Sequence, residues 1–202
     1  MAFGVAFGVA ILRPENWLMG LPFFASVIPI HVGFQKRAAT RQILANPDED
    51  FPLDYKPEAL DYIYTLTHGQ PYLVQLVGFQ LVRRYNDYVF EQGRSRNPVF
   101  TVEDVEAVIN DSEFFKRGRY YFDGVWGQAA RGADGQQAIL RAIAPTPDGL
   151  TLDTLAHCTG IDLVALPEAL NTLKRHDVVE ETQGRWRIIV ELFRYWVLQL
   201  VL

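Results

Sequence analysis

Apolar positions recur along this chain with two periods, and the changes of period mark out its elements. Ser26–Gly33 (SVIPIHVG) is short, β-branched and closed by Gly33, which predicts a strand whose Pro29 favours an edge or a strand end. Good helix formers over 35–45 predict a helix that stops before Asn46-Pro47, since the residue preceding a proline is pushed out of the α region. The acidic run DEDFPLDYK reads as an exposed connector. Pro57 then opens a helix with Leu60, Ile63, Tyr64 and Thr67 on one face. From Pro71 to about Tyr88 the apolar residues Leu73, Leu76, Val77 and Leu81 share one side, with Tyr72, Val74, Phe79 and Val82 on others. A helix apolar nearly all round is expected to be central and buried. GRSRNP at 93–98 has loop composition. Thr101 with Asp104 approximates a capping box for a helix with Val102, Val105 and Ile109 inward.

Past Asn110 the pattern is aromatic: Phe114, Phe115, Tyr120, Tyr121, Phe122 and Trp126. Such density predicts an interdomain core. Lys116, Arg117 and Arg119 leave a nucleic-acid stacking platform as the competing reading. Gly124, Gly127, Gly132 and Gly135 suggest a boundary near Arg131. Beyond it, Gln136–Ala144 reads as a helix with Ile139, Ala142 and Ile143 inward. Thr151 caps a short helix that turns at Gly160, and Leu163, Leu166, Leu170 and Leu173 recur on one face of the next. A hairpin follows, from Val178 to Ile189 about a Gln183-Gly184 turn, with Trp186 and Ile188 on one face and Arg185 and Arg187 on the other. Helix, short helix, turn, helix and hairpin is the order of a winged helix-turn-helix. Val190–Leu202 closes as an amphipathic helix.

Composition narrows the class. The 202 residues, 49% hydrophobic and 13% aromatic, suffice for one or two packed domains. A net charge of −5, from 19 basic and 24 acidic residues, gives no general attraction to nucleic acid, so any such contact is local. The single cysteine, Cys158, excludes an internal disulfide, fits a reducing cytoplasm and reads best as a small buried hydrophobe. MAFGVAFGVAIL meets Arg13 and Pro14 well short of the roughly 20 residues of a membrane span, so no membrane partner is expected. It reads as a strand-like remnant, with a membrane-interacting or cleaved leader as the competing reading. His31, His68, His157 and His176 show no metal-ligand spacing, and the acids Asp48, Glu49, Asp50 and Asp54 read as a solvated cluster.

The tripeptide Gly69-Gln70-Pro71 stands between two apolar-periodic helices, with Pro71 placed as a first helical residue. On local chemistry alone it is an interhelical turn; its surroundings add a second meaning. FASVIPIHVGF, PEALDYIYTLTHGQPYLVQLVGFQLV, YYFDGVWGQ and GRWRIIVELFRYWV occur in the order of core strand, lid helices, connecting aromatic segment and wing with final helix. In this, residues from about Leu21 to Leu202 resemble the AAA-like or STAND-type NTPases of bacteria and archaea. The resemblance implies a mainly α fold, an AAA+ lid-type helical bundle followed by a winged helix-turn-helix with a small β-wing. It divides the chain into a core remnant at 1–33, a helical lid at 34–97, connecting helices at 98–130 and the winged helix at 131–202. It also implies that Gly69-Gln70-Pro71 is the family's GxP motif, with Pro71 against the adenine of ATP or ADP and Gly69 allowing close approach.

Departures from the family bear on activity. No arginine follows the turn until Arg83, and no G-x-x-x-x-G-K-[ST] loop or acid-terminated apolar strand is present to hold phosphates and magnesium. The chain is therefore expected to be the nucleotide-sensing lid and winged-helix part of an ATPase, inactive by itself, with the ATPase core or another protein domain as partner and homo-oligomers possible. The alternative is a free-standing winged-helix regulator that contacts DNA through Asn171, Lys174, Arg175 and His176 on the recognition helix and Arg185 and Arg187 on the wing. Glu168, Asp177, Glu180 and Glu181 make that surface mixed in sign.

Overall fold

A computed structural model describes residues 33–45 and 52–200; the expected strand at 26–33 but for Gly33, positions 48–51 of the acidic connector and the N-terminal apolar segment lie outside them. The described residues are mainly helical. In chain order they form α1 (Arg37–Leu44), β1 (Asp54–Tyr55), α2 (Pro57–Thr67), α3 (Pro71–Asn86) ending in a π-helical turn (Asp87–Glu91), β2 (Val99–Phe100), α4 (Val102–Ile109), α5 (Phe114–Arg117) and α6 (Arg119–Arg131). These are followed by α7 (Gln136–Ile143), α8 (Leu152–Thr159), α9 (Leu166–Arg175), β3 (Val179–Thr182), β4 (Arg185–Ile188) and α10 (Glu191–Gln199).

The first bundle is α1 to α4. Helix α2 buries Ala59, Leu60, Ile63 and Leu66, and α3 answers with Leu73, Val74, Val77 and Leu81. Two arginines of α1 fasten it to α2: Arg37 and Arg41 each donate to Asp61 at 2.7 Å and hold its carboxyl below the usual carboxylate range. Helix α4 starts where the sequence places it, with the Thr101–Asp104 capping box formed. Asp104 also receives both arms of Arg96, at 2.9 and 2.7 Å.

Two expectations are corrected here. The end of the acidic connector is neither irregular nor wholly exposed: Leu53 and Tyr55 are buried, and Asp54–Tyr55 pairs in parallel with Val99–Phe100. The ladder is continued by Asp54 N–H to the Pro98 carbonyl and Lys56 N–H to the Phe100 carbonyl, both at 2.9 Å. Apolar side chains, not the local acids, decide that segment, and burial together with Asp54 pushes the Tyr55 hydroxyl up to about 12. Helix α3, expected to be buried all round, exposes Tyr72 and leaves Phe79 63% exposed. The neighbours of α3 among the described residues cover only part of its circumference.

The aromatic segment is core. Phe114 and Phe122 are fully buried, Phe122 stacks on Trp196 of α10 with centroids 5.9 Å apart, and Trp196 meets Phe193 and Trp126 at 5.9 and 5.8 Å. Tyr120 alone of the group points to solvent. Gly124 and Gly127 do not mark a break: both lie inside α6, which runs unbroken to Arg131.

In the last third, α7 buries Ile139, Leu140 and Ile143, and α8 is capped by Thr151 accepting from the Thr154 N–H. Helix α9 starts at Leu166, later than the leucine spacing suggests, so Leu163 is exposed in the turn before it while Leu166, Leu170 and Leu173 are buried. Strands β3 and β4 pair antiparallel about Gln183-Gly184, both at positive φ, with Trp186 and Ile188 inward. Leu150, between α7 and α8, bridges Trp186 as a third, one-residue strand. Cys158 is exposed rather than buried, because α8 turns Leu155 inward.

Truncating the central ring is expected to be costly: Phe122→Ala should lower unfolding stability by about 3–5 kcal/mol in urea titration, through lost burial and an unfilled cavity. A second expectation concerns acid. Burial acts to raise the Asp104 carboxyl, but Arg96 and the Thr101 N–H outweigh it and hold the group below its ordinary range. Its contribution is thus present above the unfolded carboxylate range and lost as pH falls through the folded one. Asp104→Asn should lower the melting temperature at neutral and alkaline pH, and the difference from the parent should shrink as pH falls through the folded range, which flattens the acid limb.

Candidate functional site

The turn at 67–71 is built almost entirely from backbone. His68 and Gly69 both take left-handed conformations, φ 50° and 72°, which ends α2 and reverses the chain into α3. Thr67 steadies the reversal: its hydroxyl donates to the Ile63 carbonyl at 2.8 Å and accepts from Gly69 N–H at 3.2 Å, while its carbonyl takes the Gln70 N–H at 2.9 Å. Gln70 caps α3, its Oε1 accepting the Leu73 N–H at 2.9 Å, and Pro71 is the first helical residue. The Gln70 side chain therefore has a structural task, and only its amide nitrogen is left for a ligand.

The segment entering α1 lies against this turn, which the residue types did not reveal. Gln35 N–H donates to the Gly69 carbonyl at 2.9 Å, and Phe34 meets His68 edge to face at 5.6 Å. Tyr64 stacks on the other side of His68 at 6.0 Å, under the Arg37 guanidinium. At Gly69 a Cβ would lie 2.1 Å from the Gln35 carbonyl oxygen, so both the positive φ and the close approach require glycine. Pro71 is half-buried, and the neighbouring Tyr72 is exposed.

The residues named for DNA contact fall on α9 and the hairpin, but most are engaged within the fold. Arg185 donates to the Gly149 carbonyl at 3.1 Å, Arg187 pairs with Glu180 across the hairpin, and the Lys174 ammonium lies 5.6 Å over the Trp186 ring. Arg175 donates to the Thr172 hydroxyl at 3.2 Å and Asn171 is exposed. Lys174 and Arg175 occupy the last turn of α9, whereas a groove-reading helix contacts bases from its N-terminal turns. That end of α9 presents Pro167 and Glu168, preceded by Val164 at 88% exposure. Positions 142–173 hold Asp148, Asp153, Asp162 and Glu168 and no lysine or arginine. His176 sits at the C-cap of α9, its imidazole held below the usual range by burial and by Arg175.

Among the described residues no helix is long and apolar enough to cross a membrane. Compared with protein-family profiles, with curated proteins and with solved structures, the chain gives no significant match.

Gly69→Ala is expected to cost about 1–3 kcal/mol by forcing a strained backbone. It should also break the Gln35–Gly69 hydrogen bond, read as faster amide exchange at Gln35 with the interior of α3 still protected.

Proposed function

We infer that this chain is a nucleotide-reporting helical lid joined to a winged helix-turn-helix, working against the core of an AAA-like or STAND-type ATPase. The observation that carries the reading is the Gln35–Gly69 hydrogen bond. It fastens the residues entering α1, which follow the expected last core strand, to the turn expected to meet adenine. Core exit and purine contact are thereby one mechanical unit: displacement of the turn by a bound base would be passed to the chain leaving the core, and the reverse.

The chain's own residues supply the apolar half of such a pocket. Pro71 offers a compact apolar ring of fixed φ at a helix entrance, and the Gly69 backbone gives it room. Phosphates and metal would be held by the core, so nucleotide state is reported by packing rather than by a charged sensor. The winged-helix reading is supported by the order α7, Leu150 bridge, α8, α9, β3 and β4, with the wing's Trp186 packed inward. An acidic, partly apolar face at the entry to α9 supports docking on a protein domain, because duplex DNA repels such a surface. A free-standing DNA-binding regulator has less support, since Arg185, Arg187 and Lys174 already have partners within the fold.

In the protein that carries core and lid together, Pro71→Ala should weaken ATP and ADP affinity about tenfold with the helical content unchanged. Unaltered affinity would reduce Pro71 to a helix start. The chain alone should show no ATP turnover that survives repurification. Salt-dependent duplex binding abolished by neutralising Lys174, Arg175 and Arg187 would instead favour the regulator.

A further inference from the structure

At the far end of α3 from the Gly69-Gln70-Pro71 turn, the chain encloses a second feature that the lid reading does not use. The helix widens into the π-helical turn Asp87–Glu91, with Gln92 N–H donating to the Asp87 carbonyl at 3.0 Å, and the chain then doubles back through Arg94 and Arg96 to β2. The β1–β2 ladder brings Lys56 to the same place, its N–H on the Phe100 carbonyl. The result is a cleft of about 890 Å³ lined by Lys56, Arg84, Arg94 and Arg96, with Tyr88 among its walls. Its volume is that of a small-molecule site.

The charges in this cleft do not cancel locally. Of the acids facing it, Asp104 is committed to Arg96 and to the Thr101 N–H, and Asp87 lies 3.9 Å from Arg83 on its own helix. Glu103 is in the first turn of α4, where Thr101, its own backbone N–H and the charge of Lys56 hold its carboxyl below the usual range. Among the described residues no carboxylate forms an ion pair with Lys56, Arg84 or Arg94. Two of the arginines are held in place: the Arg94 guanidinium lies 5.4 Å over the Tyr88 ring, and Arg96 sits 5.7 Å from both Tyr85 and Phe100 in addition to its bidentate pair with Asp104. Arg84 and Arg94, with no ion-pair partner among the described residues, open with Lys56 on one concavity and raise its potential, and the Arg94 guanidinium held over Tyr88 suits oxyanions that accept two parallel hydrogen bonds. Helical π-turns are found disproportionately at functional sites, and this one shapes the wall that carries Tyr88.

We propose that this cleft is a binding site for a small phosphate-bearing anion, with Lys56, Arg84 and Arg94 as its contacts and Arg96, fixed by Asp104, as the positioning residue that shapes its wall. It is separate from the turn at Pro71 and independent of the lid reading. The ligand chemistry is a phosphate chain; its source is either an inorganic polyphosphate or the phosphates of a nucleotide.

The test is isothermal titration of the full chain with pyrophosphate, ADP and adenosine at low and high salt. Pyrophosphate should bind, more weakly as salt rises, and Arg84→Gln and Arg94→Gln should each weaken it about tenfold. The wing variant Arg187→Gln and the turn variant Pro71→Ala should leave it unchanged. Circular dichroism of each variant separates loss of contact from loss of fold, and Lys56→Gln, on an exposed side chain, serves where an arginine variant does not fold. ADP competing with pyrophosphate would assign the phosphates of a nucleotide, and pyrophosphate alone an inorganic chain. No heat at millimolar pyrophosphate, or equal affinity in Arg84→Gln, Arg94→Gln and the parent, would overturn the proposal; adenosine binding that survives those substitutions would bear only on Pro71.

Discussion

The stack of Phe122 and Phe193 on Trp196, with Trp126 edged against it, is the joint on which the described structure depends. These rings come from α6 and α10, far apart in sequence, and α10 also packs on α2. Each large ring buries an area that few aliphatic side chains match, and offset stacking and edge-to-face pairing add a directional preference. Bundle and hairpin unit therefore share an interior. That interior is apolar enough to bury Arg194 only because the guanidinium is fully used, on Glu191 and on the Ala144 carbonyl at the end of α7. The guanidinium's bond to the Ala144 carbonyl fixes the register of α10 against α7, since a slip would leave a buried donor and acceptor unmade.

What the sequence made legible were features decided by one segment alone. The start of α2 at Pro57, the Thr101–Asp104 box, the Thr151 cap and the alternation of Trp186 and Ile188 with Arg185 and Arg187 each depend on residues within four positions of one another, and each was formed as expected. The misread features depend on distant partners. Acid content suggested an exposed connector at 48–56, yet Leu53 and Tyr55 have a hydrophobic slot and a strand partner some 45 residues away at Val99–Phe100. Phe79 looked like core because its helix is apolar all round, but burial is set by which neighbours arrive. The candidate turn was visible as Gly69-Gln70-Pro71, whereas Phe34 and Gln35 against it were not: their contacts are a backbone hydrogen bond and a ring edge, for which no residue pattern is specific.

The hairpin end shows how charge placement separates two readings that share a topology. A helix-turn-helix can serve DNA or protein, and topology alone does not choose. Phosphate contacts need cations free to leave their own protein, and here Arg187 spans the hairpin to Glu180 and Arg185 ties it to the Gly149 carbonyl. The turn before α9 is stiff, with Asp162 accepting the Val164 N–H at 2.8 Å and its carbonyl taking the Ala165 and Leu166 N–H groups. An exposed valine on a rigid acidic turn loses little freedom on contact.

Helix α3 puts the two proposed sites in physical relation. Its 16 residues span about 24 Å, with the Gly69-Gln70-Pro71 turn at one end and the π-helical wall of the cationic cleft at the other. The inner face of the helix is close-packed through Leu73, Val74, Val77 and Leu81, and such packing resists bending. The hydrogen bond from Gln35 fixes one end to the chain entering α1, and the β1–β2 ladder with the Arg96–Asp104 pair frames the other. Coupling between a base at Pro71 and an anion at Arg84 and Arg94 then requires that each ligand bind one tilt better than another. Without such a difference in affinity between two states, tight binding at either end leaves the other unaffected, so the magnitude of the coupling is set by the two differential affinities and not by the overall strength of binding.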